Sequence, residues 1–211
     1  MLGIMTRQQM EMYEKFAPVI LCMDSTHKTN IYSFKLITLL VPDEFRNGYP
    51  VAFCISNEED ENAITVFLNA VKKRSPKTNV KIIMTDDDNS GWNAAQNVYG
   101  TDLKQYLCIW HVHRNWRRRI QQHIKDSQHQ TEIYFLLCAA LQAKSENEFN
   151  QYVMALVSKL RDVSPPFLKY FQDFYLCRKE KWAMCYRTGE YCNVNTNMFL
   201  ESFHNQLKNI Y

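Results

Sequence analysis

Glycine and proline are scarce in this chain, five and six residues among 211, and no internal repeat or low-complexity segment interrupts it. The composition is that of an ordinary soluble globular protein rich in aromatics. No stretch approaches the roughly 18 unbroken apolar residues that a membrane span requires, and the N-terminus lacks the profile of a signal peptide. No Cys-x-x-Cys pair occurs, and the seven cysteines are an odd number, several set singly inside apolar runs (Cys22, Cys54, Cys138). Buried thiols of that kind belong to a reducing compartment, the cytosol or nucleus, rather than to a secreted disulfide framework.

Charge is short on one sign in one place. From Lys104 to Lys125 there is no acid, while Lys104, Arg114, Arg117, Arg118, Arg119 and Lys125 are all basic. Acids gather instead in Glu58-Glu59-Asp60-Glu61 and Asp86-Asp87-Asp88. The net charge of +3 says little, but charges kept apart suit a protein that holds cations at one site and a polyanion at another. Two solvated surface patches would read the same way.

The first half alternates strand and helix signals. Residues 19–23 (VILCM), 32–41, 49–55, 80–84 (VKIIM) and 106–110 (YLCIW) are apolar or β-branched runs that predict strands, with a polar turn from Pro42 to Gly48. An amphipathic helix is expected from Asn62 to about Arg74, and a second, capped by Asn89 or Ser90 and ended by Gly100, through Tyr99. Beyond 110 the pattern becomes helical: 111–125, 131–143, 146–161 and 166–178, with Pro165-Pro166 as the clearest break, then a last helix from Thr196 to Tyr211. The organisation predicted is a short helical lead-in (1–16), a mixed α/β core (17–110), a helical segment (111–194) and a final helix (195–211).

Two of the predicted strands end alike, in an apolar run followed by an aspartate, Asp24 and Asp86. Ligand sites gather beyond the carboxyl ends of parallel strands. Side by side, two carboxylates repel, and a hard divalent cation with oxygen ligands relieves them. Two such cations can also activate a nucleophile and stabilise the leaving oxygen in phosphodiester cleavage. From pattern alone both residues are equally ordinary strand-end or helix-cap aspartates. Glu201, on an amphipathic helix with Phe199, Leu200, Phe203 and Leu207, is by itself one acid among many.

The order MDSTHKT, YPVAF, IIMTDDDNSGWNAAQ, LCIWHVHRNW and NTNMFLESFHNQLK resembles the catalytic domain of Mutator-like element (MULE) transposases, within the ribonuclease H-like DDE transposase and integrase superfamily. The likeness extends over about residues 17 to 210. It implies a ribonuclease H-like α/β fold: a mixed five-stranded sheet flanked by helices, with an all-helical insertion before the last helix. It also implies that Asp24, Asp86 and Glu201 are the catalytic acids and hold two Mg²⁺ or Mn²⁺ ions. The sequence departs little from the family pattern; Ser25 stands where many relatives are expected to have Gly or Ala. Position 86 is preferred over Asp87 and Asp88 because it directly follows the strand and Thr85.

Cys108 and His111 form a Cys-x-x-His pair. As a zinc site it lacks two ligands, and the spacings of Cys177, Cys185, Cys192 and His204 match no common zinc pattern. The resemblance offers instead a family element where the helical insertion begins, structural or DNA-contacting. The following segment sets Arg114, Arg117, Arg118, Gln121 and Lys125 on one helical face, a row suited to backbone phosphates, with Trp110 or Trp116 available to pack on sugar or base. A solvated basic face is the alternative. Lys28 and His27, just past Asp24, are within reach of a scissile phosphate if Asp24 is catalytic.

The resemblance thus implies a nuclear DNA transposase domain that cleaves and transfers strands at transposon ends. Water attacks first, and the freed 3′ hydroxyl then attacks target DNA. DNA is the partner, no membrane is involved, and the active assembly is a homo-oligomer. The alternative is a domesticated, catalytically inactive derivative that binds DNA or regulates transcription. A zinc-structured interaction domain on Cys108 and His111 is a third class. Relatives carry an N-terminal zinc-finger region and a C-terminal SWIM-type finger. Neither is visible, which implies a fragment, a truncated gene model or a decayed copy.

Overall fold

The computed structural model describes residues 1–27, 30–45 and 47–187. The strands among them are β1 (Leu2–Ile4), β2 (Leu21–Thr26), β3 (Lys35–Pro42), β4 (Gly48–Ser56), β5 (Ile82–Thr85) and β6 (Lys104–Leu107). The helices are α1 (Arg7–Phe16), α2 (Glu61–Arg74), α3 (Asn89–Tyr99), α4 (Ile109–His123), α5 (Ser127–Gln142), α6 (Glu146–Val163) and α7 (Pro165–Phe174). The chain divides into two compact units at Cys108/Ile109.

The first unit is built on one mixed sheet with strand order β1-β4-β3-β2-β5-β6. β3 runs antiparallel to both its neighbours, β2 and β4, whereas β2, β5 and β6 are mutually parallel. Parallel neighbours cannot be joined by a tight turn, and α3 supplies the crossover from β5 to β6. Leu21, Met23, Ile37, Leu39, Val51 and Ile83 bury one sheet face together with Tyr13 and Phe16 of α1, Ile64, Phe67 and Leu68 of α2 and Ala94, Ala95 and Val98 of α3. Cys22, Leu40 and Met84, which alternate with those residues, are buried too. A strand buried on both faces reads as a continuous apolar run rather than an alternating one, as β3 does.

Six strands stand where five were expected. The sixth, β1, is three exposed residues paired with Phe53, Cys54 and Ile55 of β4, too short and too exposed to leave a periodic signal. Pro50 also lies in β4, beyond the residues that β1 pairs and opposite the irregularity at Leu39/Leu40, where its missing N–H costs no ladder bond. The run expected as a strand over 106–110 ends at Leu107, and Ile109 and Trp110 already open α4.

Caps account for the helix boundaries. Thr6 and Gln9 form a reciprocal capping box on α1. Asp60 accepts the Ala63 N–H at 2.8 Å on α2, whose last turn carries Lys72, Lys73 and Arg74, the sign that a helix C-terminus favours. On α3 the cap is Asp88, accepting from the Ser90 N–H at 2.9 Å, not Asn89 or Ser90 as the sequence suggested. Gly100 ends α3 at φ 102°, where a side chain would be strained.

The second unit, described from Ile109 to Arg187, packs around aromatic rings. Trp116 and Trp182 are fully buried and meet edge to face at 5.4 Å; Tyr175 lies against both. The Trp182 indole N–H donates to the Tyr175 carbonyl at 2.9 Å. Trp116 is therefore core and is not available to stack on a sugar or base, contrary to one sequence expectation. No described helix is long and apolar enough to cross a membrane.

Replacing the fully buried Ile83 by alanine removes the contact between β5 and the helix layer. The expected loss is about 2–5 kcal/mol of unfolding free energy, read as a lowered urea midpoint; a change below about 1 kcal/mol would mean that β5 is not a core strand.

Candidate functional site

The parallel pairing of β2 with β5 matches Leu21 to Ile83 and Cys22 to Met84. Two residues further along the same register stand Asp24 and Asp86. Asp24 does not end its strand, as the apolar run suggested. It stands opposite Thr38 of β3 in the ladder, and β2 continues through Thr26. It is 7% exposed. Asp86 is half-buried and follows the last residue of β5. Both line one small cleft of about 60 Å³ at the carboxyl end of the parallel strands, together with Glu59, Thr85, Asp88 and Gly91.

The Asp86 position is fixed from several directions. The Thr85 hydroxyl donates to the Asp86 carbonyl at 2.8 Å and accepts from the buried Gln105 amide at 2.9 Å. The Thr85 carbonyl accepts the Cys108 N–H at 2.8 Å, extending the β5–β6 ladder by one rung. One Asp86 carboxylate oxygen accepts the Asp88 N–H at 3.2 Å. Across the cleft, Glu59 accepts from the Ser25 hydroxyl at 3.2 Å, and its other oxygen lies 3.4 Å from His27 Nε2. Gly91 has no room to spare: a Cβ there would stand 3.0 Å from the Met23 methyl.

The donors at this cleft are carboxylate oxygens, the set that hard divalent cations prefer, and Mg²⁺ usually takes only one or two of them. Asp24 and Asp86 line the same small cleft. Asp24 and Asp86 therefore fit such a group. Among the described residues no three His, Cys, Asp or Glu side chains come together to hold a metal. Glu201, the expected third acid, and Lys28 lie outside the described residues.

The sequence did not single out Glu59, which looked like one of four surface acids. Only its position just before the Asp60 cap of α2 hints that it turns toward the strand ends. Asp88, passed over in favour of Asp86 as the second acid, is the α3 cap.

In the second unit, Ile109, Val112, Trp116 and Ile120 form the buried stripe of α4, and Arg114, Arg117 and Arg118 are exposed, as is Lys125 just past its end. Arg114 lies over the Trp110 ring at 5.3 Å and Arg117 over Tyr134 at 4.9 Å, stacking that orders guanidinium groups without neutralising them. Cys108 is fully buried at the end of the β6 ladder, and His111 meets the Trp110 ring edge-on at 4.8 Å.

Residues 1–101 match a family model described as the RNaseH-like domain of zinc finger SWIM domain-containing protein 1/3. That match covers just under half of the chain. No curated protein sequence matches the chain. Similar solved structures include a chain of the simian T-cell lymphotropic virus intasome in complex with PP2A regulatory subunit B56 gamma (14% identity, 65% of this chain and 48% of that one, TM-score 0.34). Another is the HTLV-2 integrase catalytic core domain in complex with magnesium (17% identity, 65% and 84%, TM-score 0.28). A third is the Drosophila P element transposase strand transfer complex (10% identity, 97% and 70%, TM-score 0.40). The chain spans about half the length (48%) of the simian virus intasome chain.

His113 makes the basic helix sensitive to pH. Its Nδ1 lies 3.0 Å from the Tyr134 hydroxyl, and burial, then the charge of Arg117, holds its pKa below the usual 6.5. The folded state thus resists a proton that the unfolded chain accepts below about pH 6.5. Stability from this site is complete above that value and falls as the pH drops through it. His113→Gln should flatten the decline in urea midpoint between pH 7.5 and 5; an unchanged decline would assign the pH dependence to other groups.

Proposed function

We propose that this chain is the catalytic domain of a DNA transposase of the Mutator-like type, cutting and joining phosphodiester bonds at transposon ends. The observation that carries the reading is that Asp24, in β2, and Asp86, just past the end of the parallel strand β5, line one cleft. The five sequence blocks in family order support it. Asp24 and Asp86 would hold Mg²⁺ or Mn²⁺, with Glu201 as the third acid. When bound, such ions activate the attacking oxygen and stabilise the leaving one.

The chain's own residues do the rest. Buried Asp24 presents a carboxylate whose conformational freedom is already removed by the sheet, and Asp86 is oriented by the Asp88 N–H. Lys28, Arg114, Arg117, Arg118 and Lys125 are the proposed DNA contacts. The Arg114 and Arg117 guanidinium groups, stacked on aromatic rings, contact phosphates with little further loss of side-chain freedom. DNA is the partner, the nucleus the compartment, and a homo-oligomer the active assembly.

The domesticated alternative is favoured by one finding: the family model matching residues 1–101 describes a zinc finger SWIM domain-containing protein rather than a transposase. In that reading the domain binds DNA or regulatory partners, and the acids do no chemistry.

Purified chain supplied with its terminal repeats and Mg²⁺ should nick DNA, and Asp24→Asn should abolish nicking while leaving the circular dichroism spectrum unchanged. Nicking at the wild-type rate in the Asn variant would refute the assignment of Asp24. Absence of nicking in the wild type, together with no measurable Mn²⁺ binding at the acids, would select the domesticated reading.

If the arginines contact backbone phosphates, Arg117→Ala and Arg118→Ala should each lower the slope of log affinity against log salt for duplex DNA by about 0.9. Unchanged slopes would make the row a solvated surface.

A further inference from the structure

The turn between β2 and β3 exposes side chains that an isolated soluble domain has reason to hide. Ile31 is 88% exposed and Tyr32 73%, and Phe34 is exposed beside them. The segment is ordered by Asn30. Its carboxamide oxygen accepts the N–H groups of Tyr32 and Phe34, both at 3.1 Å, and its amide donates to the Phe34 carbonyl at 3.0 Å. The Ser33 N–H donates to the Asn30 carbonyl, and Ser33 takes the left-handed conformation at φ 58°. The Tyr32 and Phe34 rings lie 6.1 Å apart at 42°. One asparagine thus orders the backbone that carries two exposed aromatic rings.

The hairpin leaves the sheet at the same end as the acidic cleft. Tyr32 follows Asp24 by eight residues, at most about 28 Å of extended chain, less than one turn of duplex DNA. Between Asp24 and Asp43 the sequence carries Lys28 and Lys35 and no acid; the acids at this end are those of the cleft, Glu59 beside Ser25 and His27 among them. Exposed aromatic rings on an ordered backbone near a lysine are the equipment with which proteins stack unpaired bases.

We propose that Tyr32 and Phe34 form a base-stacking platform that engages unpaired nucleotides next to the Asp24–Asp86 cleft. The inference deepens the transposase reading and rests on it: the substrate is DNA whose strands are locally opened at the reacting phosphate. Tyr32 and Phe34 act in binding, not in the chemistry.

The test uses the full 211-residue chain in EDTA, so that no metal step enters. The probes are a single-stranded oligonucleotide carrying one 2-aminopurine and the corresponding duplex. Wild type should bind the single strand and change the 2-aminopurine fluorescence. Tyr32→Ala should weaken single-strand binding about 5- to 100-fold, Tyr32→Phe should restore it, and duplex affinity should stay within about twofold. Single-strand affinity unchanged in Tyr32→Ala, or lost equally for duplex and single strand, overturns the platform and leaves the transposase reading standing. A wild-type chain that binds neither probe overturns both.

Discussion

The arrangement depends on the register between β2 and β5. Asp24 and Asp86 are separated in sequence by β3, β4 and α2, and nothing local brings them together. Parallel pairing does, because each rung fixes the next, and a shift of one residue would turn one of the two side chains to the opposite face. Burial on both faces holds that register: Leu21 and Ile83 on one side and Cys22 and Met84 on the other are all almost inaccessible to solvent. The apolar pattern of both strands thereby sets the position of the polar residues at their ends.

The two carboxylates sit in unlike surroundings. Asp24 is inside its strand, nearly inaccessible, between antiparallel β3 and the end of the β2–β5 ladder. Asp86 is half-buried and takes a backbone N–H. A buried carboxylate is costly unless its charge is compensated, whereas one that accepts an amide proton is stabilised as the anion.

The parts legible in the sequence are those whose physics is local. Residues 19–23 and 80–84 read as strands because a strand covered on both faces is a continuous apolar run. The long helices were visible in their periodicity, and Gly100 as a stop in its backbone freedom. The strand Leu2–Ile4 was invisible because its pairing is supplied by the free edge of β4, not by its own three residues. Asp24 looked like a strand terminus because Ser25 is polar, yet Thr26 beyond it is buried and paired with Leu36. The Asp88 cap was hidden among three consecutive aspartates that composition cannot rank. Glu59 was missed because its bond to Ser25 spans 34 residues. Trp116 was misjudged because an aromatic next to arginines has the same local pattern whether it faces solvent or core.

That last case shows how one helix serves two ends. Along α4 the buried stripe of Ile109, Val112, Trp116 and Ile120 anchors the helix in an aromatic core, and the exposed stripe is arginine. Two of those arginines, Arg114 and Arg117, lie over rings, Trp110 and Tyr134. Lysine could supply the charge but not the planar stack. Arginine at these two positions therefore keeps its charge while packing its planar group on a ring, so the exposed face of the helix carries cations with less freedom than lysines would have.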